Sequence, residues 1–204
     1  RGGRGHYISG DAELPARSKG HVTFGCFNNL TKMTDQVVRL WAEVLRSVPG
    51  SSLFLKSPQL RESSVRQRVQ EQFVGYGIDV CRLLFEGLSP RHEYLAAYHR
   101  VDIALDPFPY NGGTTTMEAL WMGVPVVTLA GDRFLSRQGV GLLANAGLSD
   151  WIASSAAEYV EIAHSKSSDL QSLGNLRVRL REQLLMSPVL DSQRFAQHLE
   201  KALR

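Results

Sequence analysis

The stretch of this 204-residue chain that could do chemistry runs from Asp106 to Gly123 and reads DPFPYNGGTTTMEALWMG. Pro107 and Pro109 end a short apolar run, because a proline nitrogen has no hydrogen to donate to a sheet. The glycines that follow, Gly112 and Gly113, let a bulky group approach the main chain without meeting a Cβ atom. The pattern predicts a turn that joins a buried strand to a helix.

Three threonines, Thr114, Thr115 and Thr116, follow these glycines and are expected in the first turn of the helix. A helix N-terminus presents about four unpaired N–H groups and roughly half a positive charge. With threonine hydroxyls as further donors, the turn could hold a diphosphate. The same residues also fit a plain helix cap, in which Thr115 and Glu118 form a capping box. Taken alone, the turn leaves both interpretations open.

The elements that must position this turn alternate between strands and helices. Apolar runs predict strands over residues 21–27, 52–56, 80–85, 101–105 and 124–129. Apolar residues at helical spacing predict a helix through Trp121 and further helices over residues 34–48, 61–75, 91–99, 132–146, 156–164, 169–186 and 192–203. This alternation indicates an α/β fold with a doubly wound, Rossmann-like parallel sheet. In such sheets a ligand lies beyond the carboxyl ends of the strands.

Three of the predicted loops leave carboxyl ends of strands with polar residues. Asn29 and Lys32 follow the first strand, Ser89 and Arg91 follow the third, and the glycine–threonine turn follows the fourth. Lys32 and Arg91 could therefore bring cationic donors toward a phosphate held by the turn. A lysine in a loop is more often simply solvated, but its place at a strand end favours a role in the site.

Composition and charge limit the classes of protein to which the chain can belong. A hydrophobic content of 43% and a charged content of 21% are typical of globular proteins. No apolar run approaches the ~20 residues needed to cross a bilayer and no signal peptide pattern is present, so we expect a cytoplasmic protein without membrane contact. The net charge of +3 comes without a basic stripe interleaved with aromatics, so we do not expect nucleic acid as a partner.

Other features of the sequence give expectations about domains and about metal chemistry. Residues 1–20 mix Gly, Arg, Ser and Pro without periodicity, which predicts a linker or lead-in from an N-terminal lobe that is missing from this sequence. Residues 21–204 are expected to form one nucleotide-binding lobe with C-terminal helices. Cys26 and Cys81 lie in predicted strands and are expected to be buried apolar residues rather than disulfide partners or metal ligands. Common nucleotide and metal motifs, such as the Walker sequence and H-E-x-x-H, are absent from the sequence.

Several ordered motifs resemble the C-terminal catalytic lobe of the O-GlcNAc transferase and SPINDLY family. They are FGCFNNLTK at residues 24–32, SPRHEYLAAYHRVDIALDPFPYNGGTTTMEALWMGVPVVTLAG at residues 89–131 and SRQGVGLL at residues 136–143. The similarity extends from about Val22 to the C-terminus and looks strongest to bacterial homologues and to the SPINDLY branch. It implies a GT-B glycosyltransferase, in which two Rossmann-like lobes face each other across a cleft and the later lobe binds the nucleotide sugar.

The resemblance implies a set of residues around the donor diphosphate. Lys32 matches a lysine that contacts the diphosphate and stabilises the departing nucleotide, which makes it the candidate catalytic residue. Asn29 matches a donor-facing position that is a glutamine in the animal enzymes. Thr114 and Thr115 match the pair that binds the phosphates. The expected donor site also includes the neighbouring residues of the turn, Gly112, Gly113 and Thr116.

The resemblance implies a second set of residues around the ribose and the base. Glu118 matches an acid that binds the ribose hydroxyls, Arg91 matches a lysine near the ribose, and the main chain at Ser89 matches the segment that reads the uracil edge. Tyr94 replaces a histidine that stacks on uracil, and an aromatic ring can still stack there. Further departures from the animal enzymes are Gly113 for a histidine, Ala97 for an arginine and Thr31 for a tyrosine. The contacts that select the base and the sugar are therefore the ones that differ.

The reaction that the resemblance implies is inverting sugar transfer from a nucleotide diphosphate to a protein Ser or Thr hydroxyl, without a metal or another cofactor. UDP-GlcNAc is the favoured donor and GDP-fucose the alternative; a nucleotide-sugar-binding module without catalysis and an interaction domain are the rival hypotheses. Expected partners are an N-terminal catalytic lobe and tetratricopeptide repeats, which present acceptors. Because histidines of that lobe have been given the role of base in the family, we expect this chain alone to bind nucleotide but to transfer no sugar.

Overall fold

A computed structural model describes residues 13–203 of the chain, whose core is a six-stranded sheet. All pairs of neighbouring strands run parallel. The strands are β1 (Thr23–Cys26), β2 (Ser52–Lys56), β3 (Leu83–Glu86), β4 (Ile103–Leu105), β5 (Val126–Leu129) and β6 (Ile152–Ala153). The predicted α/β fold with a doubly wound parallel sheet is confirmed.

The order of the strands in the sheet is β3-β2-β1-β4-β5-β6. The chain therefore runs outward from β1 through β2 to β3, and then returns to place β4 on the other side of β1. Phe24 of β1 pairs with Ile103 of β4 at this reversal. Ligands of doubly wound sheets bind beyond the carboxyl ends of the strands at such a switch point. The loops after β1 and β4 are thus the ones that the topology brings to the expected crevice.

Helices alternate with the strands and then close the chain. The α-helices in residues 13–203 are α1 (Pro15–Lys19), α2 (Asp35–Ser47), α3 (Ser63–Gly75), α4 (Arg91–Ala96), α5 (Thr114–Trp121), α6 (Gln138–Asn145), α7 (Ala156–Ser168), α8 (Leu170–Leu185) and α9 (Ser192–Ala202). Within these residues, none of the helices combines the length and hydropathy that a membrane span requires.

The helix that follows β1 shows how the core supports the rim of the sheet. Thr34 caps α2 by accepting a hydrogen bond from the N–H of Val37 over 3.4 Å. The apolar face of α2 is buried, and Trp41 on this face donates its indole N–H to the Tyr159 hydroxyl of α7 over 3.3 Å. Tyr159 in turn donates to the main-chain carbonyl of Asp106, 3.1 Å away, at the end of β4. The buried chain of bonds fixes the point where the glycine–threonine turn begins.

The third strand begins later than the sequence pattern predicted. Residues Val80–Arg82 form a 3-10 helix instead, which starts where Asp79 accepts a hydrogen bond from the N–H of Cys81 over 2.9 Å. This local bond competes with the extended conformation that the apolar residues favoured. Cys81 is consequently exposed, so its predicted burial is wrong, whereas Cys26 is buried as expected. Both cysteines are free.

Two further stretches differ from the sequence expectations in their secondary structure. Ile152 and Ala153 form β6 beside β5, a strand that was not predicted because two residues are too short to show a period. Residues 132–146 were expected to form one helix, but a 3-10 helix at Phe134–Arg137 precedes α6. The backbone of Arg137, with φ −126° and ψ 4°, separates the two segments.

Residues 13–20 do not have the extended structure expected of a linker. Pro15 begins α1, and Leu14 and Ala16 are buried in the core. The N–H of Ala16 donates to the carboxylate of Asp102 over 2.9 Å, which ties this helix to the start of β4. A helix of five residues shows no periodicity in the sequence, so its packing was not predictable from the pattern. The remainder of the expected linker, residues 1–12, lies outside the described residues.

Candidate functional site

The glycine–threonine turn lies where topology places it, between the end of β4 and the start of α5. Gly113 is the N-cap of α5 and the cap has no side-chain hydrogen bond. The predicted capping box does not form, because its members have other partners. Thr115 donates its hydroxyl to the side chain of Asn28 over 2.9 Å, and the carboxylate of Glu118 contacts Arg91 and Tyr94. The predicted capping box between Thr115 and Glu118 is therefore wrong.

Lys32 reaches this turn from the loop after β1. Its ammonium donates to the main-chain carbonyl of Asn111 over 2.9 Å and to the side-chain oxygen of Asn28 over 3.2 Å. The same ammonium lies 4.1 Å from the centre of the Tyr110 ring, within the range of a cation–π contact. Burial lowers the pKa of Lys32, and the negative charge of Asp106 partly opposes that shift. A lysine that the sequence placed at a strand end is thus held against the turn.

Asn28 connects the two loops and was missed by the sequence argument. Its side-chain oxygen accepts hydrogen bonds from both Lys32 and Thr115, and only 8% of the residue is exposed. Asn29, the predicted residue, is exposed and uses its side-chain oxygen to accept from the N–H of Thr31 and, over 2.6 Å, from Gln59. Both asparagines follow the first strand, so the sequence carried no signal to tell them apart.

Asp106 was also missed as a site residue, although it opens the singled-out stretch. It is 1% exposed, and its two carboxylate oxygens accept hydrogen bonds from the N–H of Gly112 and from the hydroxyl of Thr128, each over 2.7 Å. Burial raises the pKa of Asp106 to about 7, against the opposing effect of these donors and of Lys32. An acidic residue directly after a buried strand was the available signal.

The two glycines of the turn have different surroundings. A Cβ atom at Gly112 would lie 2.6 Å from the hydroxyl of Thr115 and 2.7 Å from that of Thr116, so a side chain fits there only if these groups move. Thr116 also donates to the carbonyl of Gly112 over 3.0 Å, which closes the turn. At Gly113 the nearest atom would be 3.5 Å away, in Gln138. Thr114, the first residue of α5, is exposed.

A second cluster contains three of the residues that were predicted to contact the ribose and the base. The carboxylate of Glu118 forms an ion pair with Arg91 at 2.7 Å and accepts a hydrogen bond from the Tyr94 hydroxyl over 3.0 Å. The guanidinium of Arg91 also lies 5.4 Å from the centre of the Tyr94 ring. Burial raises the pKa of the Tyr94 phenol, so this group stays a neutral donor. Ser89 lies in the loop before α4, and its buried hydroxyl has no hydrogen-bond partner within residues 13–203.

The two clusters lie side by side because they share α5. Thr115 and Glu118 are three positions apart and so lie on the same face of that helix. Thr115 belongs to the cluster with Lys32, where donors and a positive charge suit an anion. Glu118 belongs to the cluster with Tyr94, where a carboxylate and an aromatic ring suit hydroxyls and a flat base. The structure thus brings a residue predicted to bind the phosphates and a residue predicted to bind the ribose to one face of α5.

Comparisons with known proteins show which family this chain resembles. The family model described as Glycosyl transferase family 41 matches residues 12–199. Over 191 residues the chain is 44% identical to a Petunia hybrida protein named "Probable UDP-N-acetylglucosamine--peptide N-acetylglucosaminyltransferase SPINDLY", covering 93% of this chain and 20% of that protein. It is 29% identical over 183 residues to a Caenorhabditis elegans UDP-N-acetylglucosamine--peptide N-acetylglucosaminyltransferase, covering 89% of this chain and 16% of the relative. The chain thus spans about a fifth of the length of these curated relatives.

Solved structures give the same result at the level of the fold. A mutant of the Thermobaculum terrenum O-GlcNAc transferase is 38% identical with a TM-score of 0.85, covering 90% of this chain and 35% of that one. Anabaena Alr3699/HepE, solved in complex with UDP and glucose, is 18% identical with a TM-score of 0.63, covering 96% of this chain and 53% of its own. The first likeness supports the resemblance noted in the motifs, and the second supports the GT-B fold alone.

Proposed function

Because the chain belongs to glycosyl transferase family 41, we propose that it binds a nucleotide-diphosphate sugar at the rim formed after β1 and β4. In this proposal the residues of the rim stabilise the nucleotide that leaves during glycosyl transfer. The acceptor is a Ser or Thr hydroxyl of a protein. UDP-GlcNAc is the favoured donor, in keeping with the names of the relatives, and GDP-fucose is the alternative that the SPINDLY resemblance keeps open.

The observation that carries the proposal is the contact of Lys32 with the glycine–threonine turn. The ammonium of Lys32 has three donors, and two of them go to oxygens of Asn28 and Asn111. The third donor is left for an oxygen of a bound phosphate. The N–H groups at the start of α5 lie at the same turn, so the cation and the helix terminus act on one anion.

These groups suit the chemistry of the leaving group. In an inverting transfer, the acceptor oxygen bonds to the anomeric carbon of the sugar as the bond from that carbon to the phosphate oxygen breaks. Negative charge then builds up on the phosphate, and Lys32 and the donors at α5 stabilise it. Removing one donor of this kind from a transition state typically costs about 3–4 kcal/mol. The proposal assigns this stabilisation to side chains and main-chain N–H groups and needs no metal.

The group that removes the proton from the acceptor is assigned to another part of the protein. Within residues 13–203, no histidine side chain forms a hydrogen bond with the turn or with Lys32. We therefore expect the 204-residue chain to bind nucleotide without transferring sugar. Mass spectrometry of an acceptor peptide, incubated with the chain and a mixture of UDP-GlcNAc and GDP-fucose, tests this. A peptide glycosylated by the chain alone would overturn the binding-only assignment.

Calorimetry with UDP and with GDP tests the proposed binding site. The unaltered chain should bind one of the two, and Lys32→Ala should weaken that binding about 10- to 100-fold, the range for a hydrogen bond to a charged group. Lys166→Ala is the matched control, because Lys166 pairs with Asp150 away from the turn and should leave the affinity unchanged. If neither nucleotide binds, the interaction-domain hypothesis is favoured. If both variants bind like the unaltered chain, Lys32 has no part in the site.

A further inference from the structure

The floor of the anion-binding turn is a buried carboxylate without a cationic partner. The carboxylate of Asp106 accepts two hydrogen bonds, both from neutral groups, the N–H of Gly112 and the hydroxyl of Thr128. None of the ion pairs formed within residues 13–203 includes Asp106. Lys32 is the nearby cation, but its two hydrogen bonds go to other residues. A buried charge in this setting is costly to keep ionised.

The space around this carboxylate is shaped by two glycines from different elements. A Cβ atom at Gly112 would lie 3.0 Å from one oxygen of Asp106, and a Cβ atom at Gly139 in α6 would lie 2.6 Å from the other. The Cβ atom at Gly139 would also lie 2.4 Å from the hydroxyl of Thr128. The turn, β5 and α6 therefore all pack directly against the Asp106 carboxylate. This packing makes the carboxylate part of the architecture of the turn.

We propose that Asp106 is a positioning residue that holds the anion-binding turn from beneath, and that solvent protonates its carboxylate as a nucleotide diphosphate binds. The proposal rests on the proposed function. The bond to Gly112 holds the main chain of the turn, so the shape of the turn depends on Asp106 whether or not it is charged. The charge itself opposes a second anion on the same turn, and protonation of the carboxylate removes that repulsion.

Among the titratable groups that face one another here, we expect Asp106 to be the one that changes its protonation near neutral pH. Lys32, from the loop after β1, favours the ionised carboxylate. From β1, Cys26 presents a thiol whose pKa burial raises to about 12. From α7, Tyr159 presents a phenol whose pKa burial raises well above its ordinary value. Both groups are therefore neutral between pH 6 and 8, where burial places the pKa of Asp106.

Calorimetry of UDP-GlcNAc and of GDP-fucose binding measures directly how many protons the protein takes up. Titrations at pH 7 in buffers of different ionisation enthalpy give the number of protons taken up, and nucleotide sugars avoid the titrating terminal phosphate of a free nucleoside diphosphate. For the unaltered chain we expect uptake of part of a proton, and an affinity that falls between pH 6 and 8 by up to about tenfold per pH unit. A chain that binds with no uptake and a flat pH profile would overturn this proposal alone, whereas absence of binding would overturn the proposed function with it.

Asp106→Asn separates the effect of the charge at this position from its effect on the shape of the turn. The amide keeps an acceptor for the N–H of Gly112, so we expect this variant to bind with no proton uptake and with the same affinity from pH 6 to 8. Asp106→Ala removes the support for the turn and should bind at least tenfold more weakly at every pH. A residue with only a structural role would give an Asp106→Asn variant with weaker binding and an unaltered pH slope. Undiminished proton uptake in that variant would assign the proton to Lys32 instead and overturn the proposal.

Thr128→Val is a second variant that does not alter Asp106. Loss of the hydroxyl removes a donor to the ionised carboxylate, which raises the pKa of Asp106 further. The fall in nucleotide-sugar affinity should therefore begin at a higher pH than in the unaltered chain. An unmoved profile in a variant that melts cooperatively would contradict the role of Asp106, even if the Asp106 variants failed to fold.

Discussion

Lys32 and Asn111 are 79 positions apart in the sequence, yet the ammonium of the first donates to the main-chain carbonyl of the second over 2.9 Å. Lys32 follows β1 and Asn111 follows β4, and these strands are neighbours because the strand order reverses between them. The bond therefore crosses the switch point of the sheet, where ligands of doubly wound folds bind. It joins a positive charge to a turn whose glycines and threonines leave room and donors for an anion.

Gly112→Ala should lower the affinity for UDP or GDP, whichever the chain binds, by at least about tenfold. The added methyl group would lie 2.6 Å from the hydroxyl of Thr115, so the turn must shift and its donors must move with it. A shift of this kind disturbs several charge-assisted hydrogen bonds at once. Calorimetry at a single pH is sufficient for the measurement.

Gly141→Ala is the control for that substitution. Gly141 lies within α6 and has no atom within 4 Å of the position a Cβ would take. Alanine should leave nucleotide affinity unchanged and should raise the free energy of unfolding by about 0.5–1 kcal/mol, because it favours the helix. Equal nucleotide affinities in the two glycine variants would show that the enclosed position of Gly112 is not needed.

Glu118→Gln should remove the preference for a ribose over a deoxyribose. If the carboxylate binds ribose hydroxyls, the unaltered chain should bind UDP or GDP at least about tenfold more tightly than the 2′-deoxy form, since a hydrogen bond to a charged group is lost. In the variant the two forms should bind nearly alike. Glu93→Gln, an exposed position on α4, should keep the full preference. Retention of the preference in Glu118→Gln would place the ribose elsewhere.

The stability of the chain should depend on pH through Asp106. Burial raises the pKa of this group from the ordinary value of 3.8 to about 7, so the folded state holds the proton more tightly than the unfolded state. The proton contributes stability at low pH, and that contribution is lost as the pH rises from about 4 to about 7, by roughly 1.4 kcal/mol per unit. Above about pH 7 the loss is complete.

Urea unfolding of the unaltered chain and of Asp106→Asn at pH 5, 6, 7 and 8 measures this effect. The variant should gain stability relative to the unaltered chain between pH 5 and 7, with little further gain at pH 8. The comparison cancels the contributions of the other carboxylates, which change in the opposite direction at lower pH. Asp132→Asn at an exposed position should instead give a curve parallel to that of the unaltered chain. Parallel curves for both variants would contradict the raised pKa.

Local patterns in the sequence were sufficient for the class of fold and for placing Lys32 near the glycine–threonine turn. The alternation of strand and helix patterns predicted a doubly wound sheet, and the motifs around Lys32 and the glycine–threonine turn predicted the family. Such signals are local, because apolar periodicity and turn residues depend on neighbours a few positions away. They also placed Lys32 and Arg91 at carboxyl ends of strands, which parallel topology brings to one edge.

The choice of partners across the sheet was decided only by the tertiary structure. A capping box between Thr115 and Glu118 was locally favourable, but Asn28 offers Thr115 an acceptor 87 positions away. The same long-range geometry selects Asn28 over Asn29 and turns Asp106 into the support of the turn. These contacts exist because β4 returns to lie beside β1, and their energies depend on burial and on groups from distant elements. The sequence by itself therefore indicated the class of fold, most of its elements and the family, and three-dimensional packing determined the short elements and which side chains meet.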